Sequence, residues 1–167
     1  MREALKLVTV RSKYCEFLRE YDCRVSINSN EKVAWPFVGV LFEINNIEYF
    51  APLSSPKLKH KKMKNTVDFY KIDGGNLGAI NFNNMIPVPV SEYTYIDLNK
   101  ITFKKEDKDY QELLRKQLTW LNSNKHKLKN KALILYRKRM NSELPKSIEK
   151  RCCDYGLLEE KYYLYIK

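Results

Sequence analysis

Residues 54–64 read Ser54-Ser55-Pro56-Lys57-Leu58-Lys59-His60-Lys61-Lys62-Met63-Lys64, with two hydroxyls beside a stiffening proline, then five lysines and a histidine within eight positions. A rigid turn that presents hydroxyls and an ammonium group can cradle one phosphate: the hydroxyls orient its oxygens and the ammonium offsets charge that builds during phosphoryl chemistry. Ser54, Ser55 and Lys57 are therefore a candidate phosphate cradle, with Lys59, His60, Lys61, Lys62 and Lys64 as candidate contacts to a nucleic-acid or other polyanionic partner. Like charges this dense repel one another, so the segment is expected to stay extended and solvated until an anion neutralises it. The alternative reading is a basic surface loop with ordinary turn chemistry.

Other chemistries find little material. The only histidines are His60 and His126, and Cys15, Cys23, Cys152 and Cys153 have no zinc-type spacing. The adjacent pair Cys152–Cys153 makes a poor disulfide framework, so reduced thiols are expected. Acidic clusters such as Glu106-Asp107 and Glu159-Glu160 are isolated and flanked by lysine, which gives a two-metal centre poor support. No Walker loop, GxGxxG, HExxH or GxSxG motif occurs. The expectation is no metal and no cofactor, and any phosphodiester cleavage would have to rest on lysine, serine, tyrosine and backbone groups.

A second basic region runs from Leu113 to Met140, where nine basic residues meet no acidic one. Arg115, Lys116, Arg137, Lys138 and Arg139 are its candidate RNA contacts. A helix face patterned for its own stability mixes signs to gain i,i+4 pairs; forgoing them suits a polyanionic partner. The whole chain agrees: 31 Lys+Arg against 20 Asp+Glu leave a net charge of +11 in 167 residues, a surplus that favours nucleic acid. Aromatic residues interleave with the bases, as at Tyr70-Lys71 and Tyr136-Arg137, and single-stranded RNA is gripped by stacking combined with cationic contact. No apolar run reaches the 18 or so residues that span a bilayer, and no signal peptide is visible, so a cytoplasmic protein with no membrane partner is expected.

The elements that must hold these groups read as α+β in one domain, 1–167. A short strand at 5–10 precedes a helix capped by Ser12, with Tyr14, Phe17, Leu18 and Tyr21 as its apolar stripe. A polar loop follows at 26–32. Residues 37–44 (FVGVLFEI) read as a central strand, and Asn45-Asn46 as a hairpin turn returning through 47–53. Strands at 67–72 and 78–82 flank a turn at Asp73-Gly74-Gly75-Asn76, and 85–90 is an edge strand because of Pro87 and Pro89. Helical spacing begins at Asp107, with Tyr110, Leu113, Leu114, Leu118 and Leu121, and a second helix spans about 124–141. The stretch 157–166 is periodic enough for a helix or a strand. Strands followed by helices imply an antiparallel sheet.

Together, FVGVLFEI at 37–44, YFAPL at 49–53 and Ser54-Ser55-Pro56-Lys57 resemble the ToxN/AbiQ family, in which an FxGxxxEI strand leads to YxAPL[ST]SPK. Ser12-Lys13-Tyr14, GAINF at 78–82, MIPV at 85–88 and YQELLRKQLTWL at 110–121 follow in the same order, so the likeness covers nearly the whole chain. The resemblance implies a twisted antiparallel sheet or partly open barrel flanked by helices, similar to MazF/Kid toxins. It also implies the toxin of a type III toxin–antitoxin pair: a metal-independent endoribonuclease that cuts A-rich single strands by 2′-hydroxyl attack, leaving a 2′,3′-cyclic phosphate. Its partners would be cellular or phage RNA as substrate and a repeated pseudoknot RNA antitoxin, which it processes and with which it forms a closed protein–RNA hetero-oligomer; some members act in phage defence. By position, Ser55 and Lys57 match the family's active-site serine and lysine, and Ser54 stands where threonine or serine is usual. The family also uses a lysine and a tyrosine just before the central strand. Here Trp35 stands at the lysine's position and the loop has no tyrosine, which makes Lys32 the substitute general base. Two further readings share the basic surface: a non-catalytic RNA-binding protein, and an SH3-like barrel that binds acidic peptides.

Overall fold

Asn45 and Asn46 both adopt positive φ, 51° and 67°, the conformation of a two-residue type I′ turn whose twist matches antiparallel strands. They join β3 (Glu43–Ile44) to β4 (Ile47–Ser54), and Ile44 pairs with Ile47. The computed structural model describes residues 3–26 and 35–167, so most of the polar loop expected at 26–32 lies outside them.

The long central strand expected at 37–44 is two pieces. β2 (Pro36–Gly39) ends before a bulge in which Leu41 and Phe42 both bond to the single residue Tyr49: the Leu41 N–H donates to its carbonyl and its N–H donates to Phe42. The Phe50 ring occupies the space where a side chain at position 39 would stand; a Cβ there would lie 2.3 Å from Phe50 Cδ2.

β1 (Lys6–Val10) lies between β2 and β8 (Tyr93–Tyr95), a strand the sequence pattern did not single out. The sheet runs β5-β6-β4-β2-β1-β8, with β5 at Tyr70–Lys71, β6 at Ala79–Ile80 and β7 (Ile86–Pro87) added against β4; its pairings are antiparallel. Each expected strand of this region is shorter than its apolar run, because 3-10 turns at Asp73–Gly75 and Phe82–Asn84 take the flanks. Met85 to Pro89 is buried while only Ile86–Pro87 pairs, which agrees with the edge position the prolines dictate.

Helices cover the sheet. α1 (Ser12–Arg19) buries Tyr14, Cys15 and Leu18; Ser12 is its first helical residue, and Arg11 holds the cap position expected of it, its N–H bonded to the Glu92 carbonyl at 2.8 Å. α2 (Leu58–Lys62) is followed by α3 (Lys105–Ser123), α4 (Lys125–Met140), the short α5 (Lys146–Glu149) and α6 (Tyr155–Ile166). The ambiguous stretch at 157–166 is thus helical, and Asp154 caps α6 by accepting from the Leu157 N–H. Tyr155, Leu158 and Tyr162 of α6 are buried, and Glu159 accepts hydroxyl hydrogen bonds from Tyr49 of β4 and Tyr136 of α4, each at 2.6 Å. Burial and that carboxylate raise both phenols above the ordinary tyrosine range. One apolar cluster runs continuously from β1 through β4 to α6, and Cys15, Cys152 and Cys153 are buried free thiols in it, with Cys23 exposed. Among the described residues no helix is long and apolar enough to cross a membrane.

Gly39→Ala should destabilise the protein by about 1–3 kcal/mol, the usual cost of overpacking a filled core site. Chemical denaturation measures it, and the loss should shrink when Phe50 is also changed to Leu; an unchanged midpoint for the single variant would refute the steric account.

Candidate active site

The pairing Phe37↔Pro52 and Val38↔Ala51 fixes the register of β2 on β4; carried past the last pair, it sets Trp35 opposite Ser54. On the other edge of β4, Leu53 pairs with Ile80 and Ser54 with Ala79. The Asn81 side-chain amide donates to Ser54 Oγ at 2.7 Å, and the Asn81 N–H reaches the Pro52 carbonyl. Gly78, at φ 100°, permits the close approach of this strand: a Cβ there would lie 2.0 Å from the Ser54 carbonyl oxygen.

The chain leaves the sheet at Ser54, and Ser55, Pro56 and Lys57 are exposed. A depression of about 280 Å³ opens beside them, lined by Trp35, Pro36, Leu53, Ser54, Ser55, Lys57 and Tyr110. The three groups singled out in the sequence therefore line one concavity. Tyr110 arrives from the second turn of α3. In the sequence it belongs to an apolar helical stripe and looks like core; it is half-buried, and burial pushes its phenol up. Asn81 was equally hidden within a strand pattern. Lys32 lies outside the described residues.

The lysine-rich segment corrects an expectation. Residues 58–62 form the short helix α2, closed by a reciprocal pair: the Lys57 N–H donates to His60 Nδ1 at 3.2 Å, and the His60 N–H donates to the Lys57 carbonyl at 3.0 Å. His60 is only 2% exposed, so it is a bracket for Lys57 and not a solvated RNA contact. Its backbone packs against Gly75, where φ is 96° and a Cβ would come within 2.9 Å of the His60 carbonyl carbon. Lys59, Lys61, Lys62 and Lys64 are exposed as expected.

Ser54 also borders a second depression of about 310 Å³, into which Lys59, Lys64, Asn81, Asn83 and Arg151 converge. Arg151 is a cation that no sequence pattern marked. Its guanidinium grips buried Asp68 with two hydrogen bonds, 2.7 and 3.0 Å. Burial alone would raise the Asp68 pKa, but the bonds from Arg151 and Thr66 hold it below the ordinary carboxylate value.

The helical cations fall into three groups. Arg115 and Lys116 are exposed on α3, although Arg115 reaches back to Glu112 at 3.4 Å and to the Leu98 carbonyl at 2.5 Å, so this face is less bare of pairs than the run from Leu113 suggests. Lys127 and Lys131 of α4 stand over the Tyr70 ring at 5.5 and 5.1 Å, and Trp120 lies beside it at 6.2 Å. Arg137 and Lys138 are exposed at the C-terminal turn of α4, where cations also complement the helix dipole. Arg139 departs from expectation: its side chain is 15% exposed and turns toward Glu149 of α5, 4.0 Å away. None of these last three lines either depression at Ser54. No cluster of three His, Cys, Asp or Glu side chains poised for a metal occurs among the described residues.

A family model described as Toxin ToxN, type III toxin–antitoxin system, matches residues 6–163. The chain belongs to the ToxN toxin family. The endoribonuclease ToxN of Bacillus thuringiensis subsp. kurstaki is 35% identical over 93% of this chain and 81% of its own. The endoribonuclease AbiQ of Lactococcus lactis subsp. lactis is 34% identical over 100% of this chain and 92% of its own. Among solved structures, a type III toxin selectively inhibited by a non-coding RNA pseudoknot superposes with a TM-score of 0.83, 32% identity and 99% coverage of both chains. The structure of AbiQ, a lactococcal anti-phage endoribonuclease, superposes with a TM-score of 0.80, 31% identity and 98% coverage of both. The open antiparallel sheet with its covering helices is thus the fold of ToxN toxins.

Burial, and then the neighbouring Lys59 and Lys57 charges, depress the His60 pKa below the ordinary imidazole value of about 6.5. The native state therefore binds fewer protons than the unfolded state, so the stability His60 contributes is complete above pH about 6.5 and declines as pH falls toward the folded value. A proton on Nδ1 would also oppose the Lys57 N–H. NMR titration should find the imidazole pKa below that of a free histidine, and His60→Gln should flatten the stability profile between pH 7.5 and 5.5. An imidazole titrating at or above 6.5 would contradict the bracket.

Proposed function

We propose that the protein is an endoribonuclease that cuts single-stranded, A-rich RNA without a metal, and that a repeated pseudoknot RNA inhibits it and is processed by it. The observation that carries this reading is the convergence of Ser54, Ser55 and Lys57 on one concavity at the end of β4. Relatives named as endoribonucleases, one of them anti-phage, support it and extend the proposal to phage defence.

In the proposed reaction a ribose 2′-oxygen attacks the adjacent phosphorus. The new O2′–P bond forms as the P–O5′ bond breaks, leaving a 2′,3′-cyclic phosphate and a 5′-hydroxyl. The 2′-proton goes to a base, a role assigned to Lys32, which precedes β2 in the sequence. The 5′-oxygen takes its proton from the Lys57 ammonium, and the Ser54 and Ser55 hydroxyls orient the non-bridging oxygens. Asn81, bonded to Ser54 Oγ, holds that hydroxyl's direction.

The flanks suit a polyanion. Lys59, Lys64 and Arg151 ring the depression on the far side of Ser54, and the exposed cations of α3 and α4 with Tyr70 and Trp120 offer charge and stacking to the antitoxin RNA in a closed hetero-oligomer.

Expression in a bacterial host should arrest growth, and Ser55→Ala or Lys57→Ala should relieve the arrest while lowering cleavage in vitro by roughly 10²–10³-fold, the usual loss for one charge-stabilising group. Cleavage should persist in EDTA. A harmless wild type, equally toxic alanine variants, or activity lost to chelator and restored by magnesium would each refute a part of this mechanism. Separately, Arg137→Glu with Lys138→Glu should weaken antitoxin binding and reduce the slope of log affinity against log salt by roughly 0.7 per lost phosphate contact; an unchanged slope would exclude that surface.

A further inference from the structure

Besides Ser54, Ser55 and Lys57, the cavity is lined by apolar and aromatic residues, Trp35, Pro36, Leu53 and Tyr110. Trp35 is 41% exposed although its neighbours Pro36 to Val38 enter the sheet. Pro36 restricts the preceding residue to extended backbone, and the β2–β4 register holds it opposite Ser54. This partly exposed indole lines the same cavity as the phosphate-binding turn. Tyr110 reaches the same cavity from a helix locked to the sheet region by buried Gln117, whose amide donates to the Leu77 carbonyl at 2.8 Å. The cavity lining thus combines an ammonium and hydroxyl groups with two aromatic rings, the two chemistries of one nucleotide. Resting on the nuclease reading above, we propose that Trp35 and Tyr110 form a stacking subsite for the base of a nucleotide flanking the scissile phosphate, and that this subsite favours purines.

The physical basis is area. Every base has a π-face, so stacking on an aromatic side chain tolerates sequence, but a bicyclic purine covers more of an indole than a pyrimidine does and removes more apolar surface from water. A lysine at position 35 would offer a charge and no face. Trp35 therefore supplies a contact that depends on base size.

The test uses the full chain and single-stranded 2′-O-methyl oligoribonucleotides, whose blocked 2′-oxygen cannot attack, carrying adenine, uracil or no base at successive positions. Fluorescence anisotropy should reveal a position where removing the base weakens wild-type binding by roughly 10–100-fold, with uracil between. The same removal should cost Trp35→Ala little, Trp35→Phe should keep most of the response, and Ser55→Ala should keep all of it while losing cleavage of unmodified RNA. If wild type and Trp35→Ala respond alike at every position, the subsite is refuted even where cleavage is intact. If no RNA is cut yet base dependence follows Trp35, the nuclease reading falls and the subsite stands. A variant that merely misfolds would lose affinity uniformly, without altering the ranking of the bases.

Discussion

β4 is paired along both edges: β3 and β2 follow one side, β7 and β6 the other. Its backbone N–H and C=O groups are thereby engaged, as a strand buried from Tyr49 to Leu53 requires. The pairing runs to Ser54 and stops, so the first residues free of the sheet are the ones with hydroxyl and ammonium chemistry. A rigid strand that ends at a proline turn places these groups more reproducibly than a free loop could. Gly78 and Gly75 extend the same constraint outward. One lets β6 approach the Ser54 carbonyl, the other lets the α2 backbone settle, and His60 closes the turn from inside.

Charge is distributed to the same effect. Several carboxylates are engaged in holding the fold. Asp68 is gripped by Arg151, Asp22 by Arg24 and the Asp154 N–H, Glu159 by two tyrosines, Glu48 by Tyr93 and Glu92 by Tyr165. Asp22 and Asp68 are nearly inaccessible. Each such carboxylate is held by partners within the fold, while Lys59, Lys61 and Lys62 of α2 and Lys127 and Lys138 of α4 are exposed.

How much of this could be read in the amino acids varies with the range of the forces involved. The Asn45-Asn46 turn and the proline-bearing edge strand were legible because local backbone preference decides them. Grouping Ser54, Ser55 and Lys57 was legible because one turn carries all three. The break after Gly39 was not, since it depends on where the Phe50 ring sits. The fate of His60 was hidden for a like reason: a histidine among lysines looks solvated until Phe69 and Gly75 are found packed beside it. Tyr110 shares the spacing of Leu114 and Leu121, and periodicity cannot tell the residue at the cavity from those in the core. Tyr93–Tyr95 is short and gains its strand character only from β1 alongside.

The bond from Tyr49 to Glu159 joins residues 110 positions apart, and this separation bears on how such a protein is made. During translation the turn that follows β4 emerges early, while the helix that buttresses that strand from below has yet to be synthesised. Contacts this distant in sequence form only after a large loop has closed, so a nascent chain carrying every reactive side chain still lacks the support that sets their geometry. A reactive site whose geometry depends on that support therefore has to wait for the closure of this loop.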